Sequence, residues 1–247
     1  MSSLPPILFI PGLSCDERMY GHQIQALGRR GDVTACRLPV EEDIGAMARK
    51  ILSVAPKQFV AVGASMAGFI CLEIFAQAPD RVLGMGLIAS NPDPDPTAMA
   101  ARRKNMSILA TGGRYELMWR QNLPRFVAQS RRRDKKLLDD IMVQLIETGA
   151  DAFVAHSTAM GKRSGYRALL PGISVPTAVV AGSDDDIFPA ADQLAWATKI
   201  PSSTFHIIHD CGHVPSMERP SAVTEILLGL RERAAEPEPG SLFVAAA

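Results

Sequence analysis

A single serine, Ser65, stands among small residues in Gly63-Ala64-Ser65-Met66-Ala67, at the centre of the apolar stretch "FVAVGASMAGFICLEIF" over residues 59–75. The pentapeptide nearly matches G-x-S-x-G, in which a serine sits at the tip of a sharp strand-to-helix turn and its neighbours two before and two after must be small. Read alone, it also fits a packing site where small residues let a helix approach a strand. A serine hydroxyl becomes a useful nucleophile only beside a base. The chain offers five histidines: His22, His156, His206, His209 and His213. His213 differs from the rest because "DCGHVPSMERP" reads as a loop between a strand and the last helix, and sites of parallel sheets are built from loops at the carboxyl ends of strands. A histidine base in turn needs a carboxylate to fix its tautomer, and "AGSDDDIFP" supplies Asp184, Asp185 and Asp186. Three adjacent acids cannot all face one imidazole, and aspartate also serves turns and helix caps. The chemistry such a set performs is acyl transfer through a serine ester.

These residues need elements to hold them. "ILFI" (7–10) is an apolar run ended by Pro11-Gly12, as expected of a buried parallel strand. Ser14 and Glu17, three apart, predict a capping box and a helix that stops near Gly28. "DVTACRLP" is a second strand, and the following helix places Ile44, Met47 and Ile51 on one face. "QFVAVG" and "VLGMGLIAS" are strands around the apolar helix "MAGFICLEIFAQAPDR". This alternation predicts an α/β fold with a parallel sheet and helices on both faces. It breaks at "NPDPDPTAMA". From there to about residue 165 only helical stretches occur, clearest in "ELMWRQ", "KKLLDDIMVQLIE" and "DAFVAHSTAM". The rhythm resumes with "TAVVAG", "ADQLAWATKI", "TFHIIH" and "SAVTEILLGLRER". The expected organisation is therefore an α/β body of residues 1–95 and 171–247 interrupted by a helical insertion at 96–170. The Pro/Glu-rich end "AAEPEPGSLFVAAA" is expected to be a loose tail.

Composition narrows the classes. The 247 residues carry 26 basic and 26 acidic side chains, so nothing global points to nucleic acid. No signal peptide is legible, and no apolar run reaches the length of a membrane span. Four scattered cysteines without a Cys-x-x-Cys pair read as free thiols of a reducing, cytoplasmic compartment, and no metal or cofactor site is legible. Residues 96–170 nonetheless hold 14 Lys/Arg against 6 Asp/Glu. That excess serves either as ordinary helix surface or as an attractor of an anionic substrate or partner.

The order Ser65, Asp, His213 resembles the α/β-hydrolase superfamily. "AGSDDDIFP" is similar to that superfamily's acid loop, and aligning Gly182 and Pro189 selects Asp185. "GHVPSMERP" resembles its histidine loop, with His213, Glu218 and Pro220 at the expected offsets. "FIPGLSCDERMY" resembles its oxyanion loop, which implies the Leu13 and Met66 N–H groups as oxyanion donors. The resemblance implies an α/β-hydrolase fold, a mostly parallel sheet lacking the N-terminal strand pair, with a helical lid at 96–170. Its departures are Pro11-Gly12 for His-Gly, Ala67 for the second glycine, and a shortened loop at "RLPVEED". The small body and helical lid resemble carboxylesterases, carrier-protein methyl ester esterases among them. This implies a small-molecule ester with an apolar group, facing Met118, Trp119, Phe126, Phe153 and His156, and an acidic carrier protein as a candidate partner of the basic lid. Met106, Met142 and Met160 belong to the lid's apolar underside, most of which is expected to be core between its helices. Lactonase, perhydrolase and carbon–carbon hydrolase activities use the same residues and stay open, as does a non-catalytic binding role.

Overall fold

The structure is a computed structural model that describes residues 4–236. Six strands form one sheet: β1 (Ile7–Ile10), β2 (Val33–Ala35), β3 (Phe59–Ala64), β4 (Val82–Ile88), β5 (Thr177–Gly182) and β6 (Ser203–Ile208). Their order is β2-β1-β3-β4-β5-β6, and every neighbouring pair is parallel. Among the described residues no strand precedes β1, and β1 lies inside the sheet rather than at its edge. The tail expected from residue 234 lies almost wholly outside the described residues.

Alternation along the central strands sorts the core into two layers, because successive side chains of a strand point to opposite faces. Leu8, Ile10, Phe59, Ala61, Met85 and Leu87 pack on one face against α2 (Ile44–Val54), α3 (Met66–Gln77) and α8 (Ala190–Ala197). Ile7, Phe9, Val60, Val62 and Val180 pack on the other against α1 (Gly21–Gly28) and α10 (Pro220–Arg233). The stripe Ile44, Met47, Ala48 and Ile51 of α2 is buried as its spacing requires. α3 is almost wholly buried, which explains its lack of a polar face.

One expected detail is corrected. Ser14 does not cap the first helix: it has φ 55°, outside the extended region a capping residue adopts. Asp16 caps instead, accepting from the Arg18 N–H, and the chain makes a 3₁₀ turn (Glu17–Tyr20) before α1.

Between β4 and β5 the chain forms α4 (Thr97–Leu109), α5 (Tyr115–Asn122), α6 (Lys135–Thr148) and α7 (Ala150–Lys162). They enclose their own apolar cluster, including Tyr115, Trp119, Ile141, Leu145 and Phe153. α4 was the helix least legible in the sequence, and no residue of it is fully buried. A helix without a buried stripe gives little periodic signal. No helix among the described residues is long and apolar enough to cross a membrane. The short α9 (Pro215–Glu218) follows the loop after β6.

Candidate active site

Ser65 occupies the turn between β3 and α3 with φ 54° and ψ −117°. Its backbone is held from the next strand: the Ser65 N–H donates to the Ile88 carbonyl at 2.8 Å, and Ser90 Oγ donates to the Ser65 carbonyl at 3.0 Å. The surrounding small residues follow from this closeness. A Cβ on Gly63 would lie 2.4 Å from the Ala67 carbonyl oxygen, and one on Gly68 would lie 2.0 Å from Ser90 Oγ. Ala67 is fully buried yet accommodated. The second position that excludes a side chain is thus Gly68, one residue beyond the place where the motif puts its glycine.

His213 lies in the loop between β6 and α9. Its Nε2 is 2.8 Å from Ser65 Oγ, and its Nδ1 is 2.9 and 3.1 Å from the two oxygens of Asp185. A carboxylate only accepts, so Nδ1 carries the proton and Nε2 is left to accept from the serine hydroxyl. Asp185 is buried and also accepts from the N–H groups of Ile187 and Phe188, at 2.8 and 3.0 Å. The neighbouring acids go elsewhere. Asp184 accepts from Ser183 Oγ, and Asp186 faces Arg132 at 3.4 Å. Of the other histidines, His22 meets Thr224 and His206 meets Thr204.

The two loops that carry Asp185 and His213 touch. A Cβ on Gly182 would lie 2.1 Å from the Gly212 carbonyl oxygen. The His213 N–H donates to the Phe126 carbonyl at 2.9 Å, which ties the histidine loop to the chain after α5. Rings of Phe126 and Phe188 flank the imidazole, with centroids 5.6 and 5.5 Å away. Aromatic walls of this kind exclude water and hold the ring's orientation.

Ser65 and His213 open on a cavity that Leu13 and Met66 also line. Neither the Leu13 nor the Met66 N–H donates to a protein acceptor among the described residues. Met66 begins α3, so its N–H lies at the positive end of the helix dipole. Gly12 brings the Leu13 loop close: a Cβ there would be 3.1 Å from the Ala64 carbonyl oxygen.

The rest of the cavity wall is largely apolar. Trp119 and Phe126 line it, and so do Met99, Ile187, Phe188 and Met217, which the sequence did not single out. Met118, Phe153 and His156 are not among its lining residues. Met118 and Phe153 lie in the cluster between the inserted helices, where Phe153 packs edge-on against Trp119 at 5.4 Å between centroids. His156 donates from Nε2 to the Pro39 carbonyl at 3.0 Å and borders a second cavity with Asp16, Arg37 and Glu147. The helical register of α7 turns that face toward the β2 side of the body. Burial pushes the His156 pKa down. All four cysteines are unbridged, and burial pushes the Cys15 and Cys36 thiols up to about 12. Among the described residues no three His, Cys, Asp or Glu side chains converge as a metal site.

Residues 7–226 match the profile of the alpha/beta hydrolase family. A pimeloyl-[acyl-carrier protein] methyl ester esterase of Yersinia pseudotuberculosis is 23% identical over 207 residues, covering 77% of this chain and 78% of that protein. A thermophilic esterase from Thermogutta terrifontis, solved with malate bound, superposes with a TM-score of 0.85 at 23% identity, over 96% of this chain and 92% of that one. The enol-lactonase from Burkholderia xenovorans superposes with a TM-score of 0.82 at 19% identity, over 93% and 92% of the two chains. The chain belongs to the alpha/beta hydrolase family of enzymes.

Proposed function

We propose that the protein hydrolyses a small carboxylic ester through an acyl-enzyme formed on Ser65. The continuous line of hydrogen bonds from Ser65 Oγ through His213 to the buried Asp185 carries this reading. Attack by Ser65 Oγ on the ester carbonyl passes its proton to His213 Nε2, while Asp185 stabilises the imidazolium. The oxyanion forms facing the Leu13 and Met66 N–H groups, each worth on the order of 3 kcal/mol in such a site. His213 then protonates the departing alcohol and later takes a proton from the water that releases the acid. Residues 96–170 act as a lid, and Trp119 and Phe126 receive the apolar part of the substrate.

The test is pre-steady-state kinetics with a p-nitrophenyl ester. A burst of one p-nitrophenolate per active enzyme is expected, and Ser65→Ala abolishes it. Equal slow rates for wild type and variant would remove the catalytic reading.

A second reading places the ester on an acidic carrier protein. Two observations favour it: the relatives named as carrier-protein esterases, and the excess of 14 basic over 6 acidic residues in the segment 96–170. Arg114 and Arg133 are exposed there and lack a carboxylate partner among the described residues. Changing both to glutamate should lower kcat/KM for a carrier-linked ester far more than for a p-nitrophenyl ester. Equal losses on the two substrates would argue against a carrier.

A further inference from the structure

The cavity at Ser65 is apolar except at Ser65, His213 and two arginines of α4, Arg102 and Arg103. The two arginines differ in their partners. Arg103 donates from Nε and Nη2 to the Asp95 carboxylate at 2.8 and 3.3 Å, and Arg163 reaches the same carboxylate at 2.8 Å. Arg102 has no carboxylate partner among the described residues. It donates from Nη2 to the amide oxygen of Asn122 at 2.5 Å, and the Asn122 amide nitrogen donates to the Met118 carbonyl. Lys104, Arg114, Arg125 and Arg133 of the same segment also lack a carboxylate, but none of them lines the cavity. Among the described residues Arg102 alone combines a charge without a carboxylate partner with a place in the wall.

A half-buried guanidinium beside other guanidinium groups is held at an electrostatic disadvantage. Burial, then Arg125 and Arg103, push its pKa down. The Asp95 carboxylate is shared by Arg103 and Arg163, and among the described residues no carboxylate pairs with Arg102. An anion at Arg102 would supply the missing partner, and the planar fork of arginine matches a carboxylate.

We propose that Arg102 binds a carboxylate at the far end of the acyl group, so that the favoured substrate is a half-ester of a dicarboxylic acid with an apolar chain between its ends. The proposal rests on the reading of Ser65 as nucleophile and names the substrate class of that same site. Ser65 Oγ forms a bond to the ester carbon as the alcohol leaves, and water then releases the dicarboxylate. The second carboxylate undergoes no bond change and serves only to hold the chain in register. Arg102 lies in the cavity wall, so the anion it recognises belongs to the part of the substrate inside the cavity. An acidic protein surface would meet the exposed Arg114 and Arg133 instead. The reaction that supplies such a substrate esterifies one end of a diacid, and this enzyme frees that end.

The experiment compares monomethyl adipate with methyl hexanoate, which differ in the terminal carboxylate at equal chain length. Wild type is expected to favour the half-ester by about tenfold or more in kcat/KM, carried by KM, as charge-assisted hydrogen bonds allow. Arg102→Gln should bring the ratio of the two kcat/KM values close to one, and Arg102→Lys should restore part of it. A purely structural Arg102 would lower both substrates together and leave the ratio untouched, which overturns the proposal. So does a wild type without preference for the half-ester. Adipate binding to Ser65→Ala, read by calorimetry, separates this proposal from the catalytic one. About tenfold weaker binding in the Ser65→Ala/Arg102→Gln protein supports the anion site even if no ester is turned over. Turnover without preference for the half-ester refutes the anion site alone.

Discussion

Glu218 Oε1 accepts a 2.8 Å hydrogen bond from the N–H of Gly212, the residue immediately before His213. Its other oxygen accepts from the Ala128 N–H at 2.8 Å. A buried carboxylate therefore clamps the histidine loop to the chain that follows α5. Burial pushes the Glu218 carboxyl above its ordinary range, against the pull of those backbone donors. Glu218→Ala would leave two buried N–H groups without an acceptor, at about 1–3 kcal/mol each. The expected outcome is a urea midpoint lowered accordingly and a reduced kcat in the protein that remains folded. An unchanged kcat would limit Glu218 to stability.

Asp185→Asn should lower kcat by about 10³–10⁴ with little change in KM, because an amide facing Nδ1 favours the wrong imidazole tautomer. Asp186→Asn is the control, since that carboxylate faces Arg132 at 3.4 Å rather than the imidazole. Comparable losses in the two variants would show that the loop, rather than the one carboxylate, is what matters.

The turn at Ser65 makes a paired prediction. Gly63→Ala puts a Cβ 2.4 Å from the Ala67 carbonyl oxygen and 2.8 Å from Cys71 Sγ, neither of which can retreat. Soluble yield, or activity of what is soluble, should collapse. Ala67→Gly should fold and stay active, losing about 0.5–1 kcal/mol to the freer backbone. Thermal melts and the p-nitrophenyl assay decide it, and a tolerated Gly63→Ala would contradict the packing described.

His156 gives a pH dependence of stability. Burial depresses its pKa, and its bond to the Pro39 carbonyl offsets this only in part. The unfolded chain thus takes up a proton at a higher pH than the folded one. Its contribution to stability is complete above the ordinary histidine range and is lost as pH falls through that range toward the depressed value. Urea midpoints at pH 7.5 and pH 5 should fall more for wild type than for His156→Gln. Parallel slopes would mean that the imidazole is not held neutral.

Much of this was legible in the sequence because local and global signals agreed. The strands around Ser65 are continuous apolar runs flanked by apolar or amphipathic helices, which only a sheet covered on both faces can use. Among the three adjacent acids only the resemblance to the superfamily's acid loop singled out Asp185, which the structure sets against His213. What escaped was decided by tertiary contact. Ser14 and Glu17 have capping-box spacing, yet the positive φ of Ser14 hands the cap to Asp16. Met118, Trp119, Phe126 and Phe153 share one chemistry, so the sequence could not tell which face the cavity and which pack behind. Arg102 looks like any surface cation of a basic segment until its missing carboxylate is seen.

Ser65 joins two requirements that pull in opposite directions. Its hydroxyl is the group the proposed chemistry cannot do without, while its backbone at φ 54°, ψ −117° suits glycine. Ser65→Gly should relieve something on the order of 1 kcal/mol. On the proposed reading the inactive variant is then the sturdier one, and the serine is kept for its reaction rather than for the fold. A descendant relieved of that reaction would have an open route to a quieter, more robust scaffold, one codon change away from the enzyme.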